Sequence, residues 1–106
     1  MNYRKLGSSD IEISPISFGA WQMADSGYWG DSDPKDAERA VQTALDAGIN
    51  LFDTAEVYAD GESERALGSA LGKRRAEIHV ATKVAQDHCE PSKLHEACEN
   101  SLRRLQ

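Results

Sequence analysis

The stretch PKDAERAVQTALDAGINLFDT, residues 34–54, contains the pattern of a helix followed by that of a buried strand. Asp33 and Pro34 favour a helix start, because an aspartate caps the free amides of a first turn and proline suits the first helical position. Gly48 then stands where helices commonly end in a left-handed residue. Between them, apolar side chains recur every three or four residues and predict one buried face: Ala37, Ala40, Val41, Ala44 and Leu45. The apolar run 49–54 predicts the strand that follows.

The same alternation extends in both directions from this stretch. Upstream, residues 3–14 predict a hairpin around the turn-forming residues 7–10, and residues 16–18 predict a strand that runs into Gly19, Ala20 and Trp21. Downstream, a helix is predicted over 63–71, with Ala66, Leu67, Ala70 and Leu71 facing inward, and Gly72 as its end.

A third strand–helix unit follows at the end of the chain. Residues 78–84 predict a strand, and Pro91 opens a helix whose apolar stripe is Leu94, Cys98, Leu102 and Leu105. Strands that alternate with amphipathic helices predict a parallel sheet with right-handed crossovers. The fold class is therefore α/β, with a hairpin and three strand–helix units in one domain of residues 1–106.

Composition excludes several classes of function. A net charge of −6 argues against a nucleic-acid partner, because phosphate binding requires a basic face. No apolar stretch approaches the roughly 20 residues that a membrane span requires, and the N-terminus lacks the apolar segment of a signal peptide. Cys89 and Cys98 lack metal-ligand spacing, which indicates a reduced, cytoplasmic setting with neither a metal site nor a disulfide.

Three chemically useful side chains lie at or just after the ends of the predicted strands. Asp53 ends the second strand, Tyr58 follows five residues later, and Lys83 is near the end of the third. Because parallel α/β folds collect reactive groups at these ends, we expect the three to converge. A phenol holds its proton until about pH 10, and a neighbouring ammonium makes it a better proton donor. Taken singly, each residue also has a structural explanation: a turn cap, an exposed lysine at a strand end, or a packed loop residue.

These residues lie in segments that resemble the aldo-keto reductase family. DTAEVY at 53–58, followed by Gly61, Ser63-Glu64, Leu67 and Gly68, resembles the signature around the family's catalytic Asp and Tyr. Residues 81–83 resemble the third strand with its catalytic Lys, residues 3–7 the opening hairpin, and residues 99–105 the helix before the fourth strand. The resemblance covers essentially the whole chain. The context of Trp21 and Trp29 is most similar to bacterial general stress or sugar-type members.

The resemblance implies a specific chemistry and fold. It implies a (β/α)8 TIM barrel, of which this chain would supply the hairpin and the first three units. It implies an oxidoreductase that reduces the carbonyl of a small aldehyde or ketone with NADPH, with Tyr58 as general acid, tuned by Lys83 and Asp53. Gly19, Ala20, Trp21 and Asp53 would contact the cofactor, although many members have Thr at the position of Ala20.

The resemblance also implies that part of the machinery lies outside this sequence. The family's catalytic His follows the fourth strand, and none of His79, His88 or His95 is expected to replace it. The elements that bind the NADPH phosphate belong to later strands, so we expect this chain to be a fragment that is inactive alone. The alternative function is a non-catalytic NADP(H)-binding regulatory subunit of the same fold. Trp29 could either contribute to binding or pack its own loop.

Overall fold

The fold is known from a computed structural model that describes residues 1–24, 27, 30, 31 and 33–106. The strands of these residues are β1 (Arg4–Lys5), β2 (Glu12–Ile13), β3 (Phe18–Gly19), β4 (Leu51–Asp53) and β5 (His79–Ala81). The α-helices are α1 (Pro34–Asp46), α2 (Glu62–Leu71) and α3 (Pro91–Leu105). Short 3-10 turns lie at Trp21–Met23, Gly72–Glu77 and Gln86–His88, and a turn that contains two left-handed residues lies at Tyr58–Gly61.

The strands form two sheets, as the alternation of the sequence predicts. β1 and β2 pair antiparallel, with Arg4 opposite Ile13. The other sheet is parallel in the order β3-β4-β5, and each of its strands is followed by a helix. The predicted hairpin and three strand–helix units are therefore confirmed, with paired strands shorter than the apolar runs that predicted them.

Helix α1 begins and ends at the residues that the sequence indicates. The Asp33 carboxylate accepts a hydrogen bond of 2.9 Å from the Lys35 amide. At the other end Gly48 has φ +87°, and its carbonyl accepts a 2.7 Å hydrogen bond from the Tyr3 hydroxyl, which fastens the hairpin to the helix end. The predicted buried position of Ala40 is wrong. Its side chain is exposed, because α1 packs through a narrower face that runs from Val41 to Leu45.

The core lies between the parallel sheet and the helices. Phe52 of the central strand is fully buried, and its ring lies 5.2 Å from that of Phe18 in the neighbouring strand. The remaining buried core residues come from the helices and the segments beside the strands: Ala20, Met23, Val41, Ala44, Leu45, Leu67, Ala70, Leu71, Ile78 and Leu105. No helix in the described part of the chain is both long and apolar enough to cross a membrane.

Helices α2 and α3 approach closely at Gly68. A Cβ atom at this position would lie 2.6 Å from the carbonyl oxygen of Arg104. The buried face of α3 runs through Ala97, Ser101 and Leu105. The predicted stripe of α3 is wrong except at Leu105. The helix is turned so that its smaller residues face inward. The other members of the stripe are therefore exposed: Leu94, Cys98 and Leu102.

Candidate active site

The three parallel strands end side by side, and this register brings the candidate residues together. Gly19 lies opposite Asp53, and Asp53 lies opposite Ala81. Lys83 follows Ala81 by two residues, and the amide of Glu56 donates a 3.0 Å hydrogen bond to its carbonyl. Asp53 is thus at the centre of the edge that the strand ends form.

Asp53 and Lys83 form an ion pair at this edge. The Lys83 ammonium donates to both carboxylate oxygens of Asp53, at 2.9 and 3.0 Å, and to the carbonyl of Thr54 at 2.7 Å. The Asp53 and Lys83 side chains are 44 % and 51 % exposed, so solvent screens the attraction between them. The pair contributes little to the free energy of folding, and its effect is to fix the direction of the ammonium.

Tyr58 lies against both Lys83 and Trp21. The Lys83 ammonium is 5.4 Å from the centre of the Tyr58 ring, within cation–π range. The other aromatic contact is a stack on Trp21, with ring centres 5.6 Å apart. Ala59 and Asp60, which follow Tyr58, have φ of +49° and +52°, a left-handed conformation that costs about 1–2 kcal/mol per L residue. The turn that follows Tyr58 is therefore held in a conformation of raised free energy.

The expected cofactor contacts differ in accessibility. Gly19 has open space where a side chain would be, and Trp21 is 42 % exposed. Ala20 is fully buried; its amide donates to the Asp53 carbonyl, and its carbonyl accepts from the Ser63 hydroxyl. Asp53 is half-exposed beside Gly19. The proposed role of Trp29 concerns a residue outside the described part of the chain.

A buried pair of hydroxyls supports the edge from below. Ser63 of α2 is fully buried, and it donates a 2.6 Å hydrogen bond to the carbonyl of Ala20. Its oxygen also lies 3.0 Å from the hydroxyl of Thr54, which follows β4. The ends of β3 and β4 are thereby joined to the first turn of α2. Sequence reasoning noticed Ser63 only as part of a family signature.

A fully buried carboxylate supports the third strand. Glu64 accepts a 2.5 Å hydrogen bond from the Thr82 hydroxyl and a 2.6 Å hydrogen bond from the Arg104 guanidinium. Glu64 is 0 % exposed and Arg104 only 14 %, so this ion pair is shielded from solvent. It joins α2 and α3 directly behind the residue that precedes Lys83. Sequence reasoning assigned no role to this pair.

Glu56 fastens the segment on the other side of Lys83. One carboxylate oxygen accepts from the Ala85 amide at 2.7 Å, and the other lies 2.6 Å from Nδ1 of His88.

The other histidines are elsewhere: His79 lies in β5, and His95 of α3 is exposed beside Glu99. Within the described residues, no group of three or more His, Cys, Asp or Glu side chains is arranged to hold a metal ion.

An open cavity of about 540 Å³ adjoins Tyr58 and Lys83, between the segments that follow β4 and β5. Its lining combines three apolar residues with four polar ones: Ala55, Val57, Tyr58, Lys83, Val84, Gln86 and Asp87. A larger cavity of about 620 Å³ is lined mainly by residues of α1 and α2, none of which is Asp53, Tyr58 or Lys83. The smaller cavity is the one that opens beside Tyr58 and the lysine of the ion pair.

Known proteins resemble this chain in sequence, and solved structures resemble it in fold. The chain is 36 % identical to the aldo-keto reductase YhdN of Bacillus subtilis, over 100 % of this chain and 35 % of that protein. It is 41 % identical to a probable voltage-gated potassium channel subunit beta of Arabidopsis thaliana, over 79 % of this chain and 25 % of that protein. A crystal structure of an aldo-keto reductase from Klebsiella pneumoniae in complex with NADPH superposes with a TM-score of 0.77, at 34 % identity, over 89 % of this chain and 32 % of that one.

The chain spans between a quarter and about a third of the length of these relatives, and its described residues form a hairpin and three strand–helix units rather than a closed barrel. The model of the aldo/keto reductase family matches residues 15–106, which is most of the chain. The resemblance seen in the sequence is confirmed: the chain belongs to the aldo/keto reductase family.

Proposed function

We propose that the protein is an oxidoreductase that reduces the carbonyl of a small aldehyde or ketone with NADPH, and that Tyr58 donates the proton. The observation that supports this most directly is the cluster at the strand ends. There the Lys83 ammonium is 2.9 Å from the Asp53 carboxylate and 5.4 Å from the centre of the Tyr58 ring. An acid, a cation and an anion in this order suit proton transfer to a carbonyl oxygen.

The role of each residue follows from its contacts. As the carbonyl carbon is reduced, negative charge develops on its oxygen, and the Tyr58 hydroxyl supplies the proton that neutralises it. The phenolate that remains is stabilised by the Lys83 ammonium beside its ring. Asp53 holds the ammonium in this direction through two hydrogen bonds. Tyr58 and Lys83 both line the adjoining cavity, so a substrate bound there can reach them.

The residues at the same edge fit a nicotinamide cofactor. Gly19 leaves open space over the strand end, so a flat ring can approach the backbone there, and Trp21 offers an exposed aromatic face. Asp53 presents carboxylate oxygens that can accept hydrogen bonds from ribose hydroxyls or an amide. When bound, the cofactor would supply the hydride. The Klebsiella pneumoniae relative was crystallised in complex with NADPH, which supports NADPH as the cofactor of this protein.

The proposal is tested by replacing Tyr58 in the protein expressed at its full natural length. Tyr58→Phe removes the hydroxyl and keeps the ring on Trp21, so we expect kcat to fall by about 10²–10⁴-fold while NADPH still binds. The matched control is Tyr3→Phe, which removes a hydroxyl that, among the described residues, donates to the carbonyl of Gly48 and lies outside the cluster at the strand ends. Turnover is followed by the loss of NADPH absorbance, and binding by protein fluorescence. Undiminished turnover by Tyr58→Phe would show that another group donates the proton.

The same measurements separate the enzyme from its alternative, a non-catalytic NADP(H)-binding regulatory subunit. That alternative predicts tight NADPH binding without turnover across a panel of aldehydes and ketones, and no kinetic difference between the two tyrosine variants. The 106-residue chain assayed by itself is expected to show no turnover, because it spans about a third of the length of its relatives.

A further inference from the structure

Glu56 makes hydrogen bonds on both sides of Lys83. Its backbone amide donates to the Lys83 carbonyl at 3.0 Å, and its side-chain Oε2 accepts from the Ala85 amide at 2.7 Å. Oε1 lies 2.6 Å from Nδ1 of His88, and because a carboxylate only accepts, this nitrogen carries the hydrogen. One residue thus fixes three points of the segment 83–88.

The burial of Glu56 strengthens these hydrogen bonds. The Glu56 side chain is only 12 % exposed, so solvent competes weakly for its oxygens. Hydrogen bonds to an ionised carboxylate are shorter and stronger than those between neutral groups. Ala85 is itself buried, so its amide has no ready substitute in water if the carboxylate is removed. The segment 83–88 therefore depends on Glu56 for its position.

Lys83 requires such support because its own side chain is half-exposed. The backbone of Lys83 lies two residues beyond Ala81, the last paired residue of β5. From there its ammonium contacts Asp53 and the Tyr58 ring. A shift of the backbone at 83–85 would change both contacts together. Small displacements of reacting groups are costly, since about 1 Å can lower the rate about 100-fold.

We propose that Glu56 is a positioning residue: its carboxylate holds the segment 83–88 so that the Lys83 ammonium stays between Asp53 and Tyr58. This inference rests on the proposed function of Tyr58 and Lys83. Glu56 acts through the Ala85 amide and the His88 ring, and it is not among the residues that line the cavity beside Tyr58 and Lys83. Its effect is expected in the chemical step and not in the affinity for NADPH.

The experiment compares three variants of the full-length protein. Glu56→Leu keeps the size of the side chain and removes both acceptors, so kcat should fall by about 10- to 100-fold with little change in the NADPH dissociation constant. Glu56→Gln keeps an acceptor oxygen for the Ala85 amide and places an NH2 group that can donate to Nδ1 of His88 when the neutral imidazole carries its hydrogen on Nε2, so it should restore most of kcat. Gln42→Leu is the control, because Gln42 also donates a 2.7 Å hydrogen bond to a backbone carbonyl, that of Ala70, far along the chain from Lys83.

Crystal structures of the Glu56 variants provide a second readout that does not depend on turnover. In Glu56→Leu we expect the Lys83 ammonium to move away from Asp53, beyond its present 2.9 Å. If the wild type turns over and Glu56→Leu matches it, the proposed function stands and the positioning role is overturned. If the wild type does not turn over, the proposed function fails. The Lys83–Asp53 separation then decides the positioning role, which is overturned if that separation is unchanged.

Discussion

Removal of the Arg104 guanidinium is expected to be among the most destabilising single changes at a charged residue of this chain. Glu64, its partner, is 0 % exposed, and the two charged groups are 2.6 Å apart. At an effective dielectric constant of 20, charges at this distance attract by about 6 kcal/mol, most of which offsets the cost of removing them from water. Arg104→Met keeps the packing stem and leaves the Glu64 carboxylate buried, with the Thr82 hydroxyl as its remaining partner. Breaking a buried pair in this way costs about 3–5 kcal/mol of unfolding free energy.

A double-mutant cycle isolates this interaction. Glu64→Leu leaves an unpaired guanidinium and is expected to cost a similar amount, whereas Glu64→Leu with Arg104→Met removes both charges and should cost less than either single change. The coupling energy should therefore exceed about 2 kcal/mol. Urea unfolding followed by circular dichroism gives the free energies, provided that the slope of the transition is the same in all variants.

The control for this cycle is Arg65→Met, on the exposed face of α2. Arg65 is 3.5 Å from the Glu62 carboxylate, and both side chains are more than half exposed. Its replacement should change stability by no more than about 1 kcal/mol. If Arg104→Met cost as little as Arg65→Met, the reasoning from burial would be refuted.

Two further substitutions test the close packing around α2. Gly68→Ala improves helix propensity by about 1 kcal/mol but places a Cβ atom 2.6 Å from the Arg104 carbonyl, and overpacking of this kind costs about 1–3 kcal/mol. We expect a lower Tm by calorimetry; a higher Tm would contradict the close approach. Ser63→Ala leaves the Ala20 carbonyl without its hydroxyl donor and should cost about 1–3 kcal/mol in urea unfolding, and an unchanged midpoint would argue against the buried hydroxyl pair.

The parts of the fold that sequence predicts are those fixed by local chemistry. Asp33 and Gly48 mark the ends of α1 because a cap and a left-handed residue act within a few positions of themselves. The order of strands and helices is likewise carried by short apolar patterns. Asp53 and Lys83 could be placed together from this order alone, because parallel strands in register bring their ends to one edge.

The orientation of α3 could not be predicted from its apolar stripe. Hydrophobicity favours burying Leu94, Leu102 and Leu105, and only the last is buried. The missing side chain of Gly68 admits the backbone of α3 at Arg104 and Leu105, and the helix lies with Ala97, Ser101 and Leu105 inward. This contact joins residues far apart in sequence, and a pattern within one helix does not contain it.

Glu64 and Arg104 show which pattern in a sequence would predict a contact between two helices. In the first turn of α2, a glutamate has an ordinary surface explanation, since it favours the positive end of the helix dipole. Yet Glu64 lies three, four and seven residues before buried positions of the same helix, so it belongs to the buried face. Arg104 adjoins the buried face of α3 in the same way. Because an unpaired charge is costly to bury, opposite charges on the buried faces of two neighbouring helices predict that those faces meet through the pair.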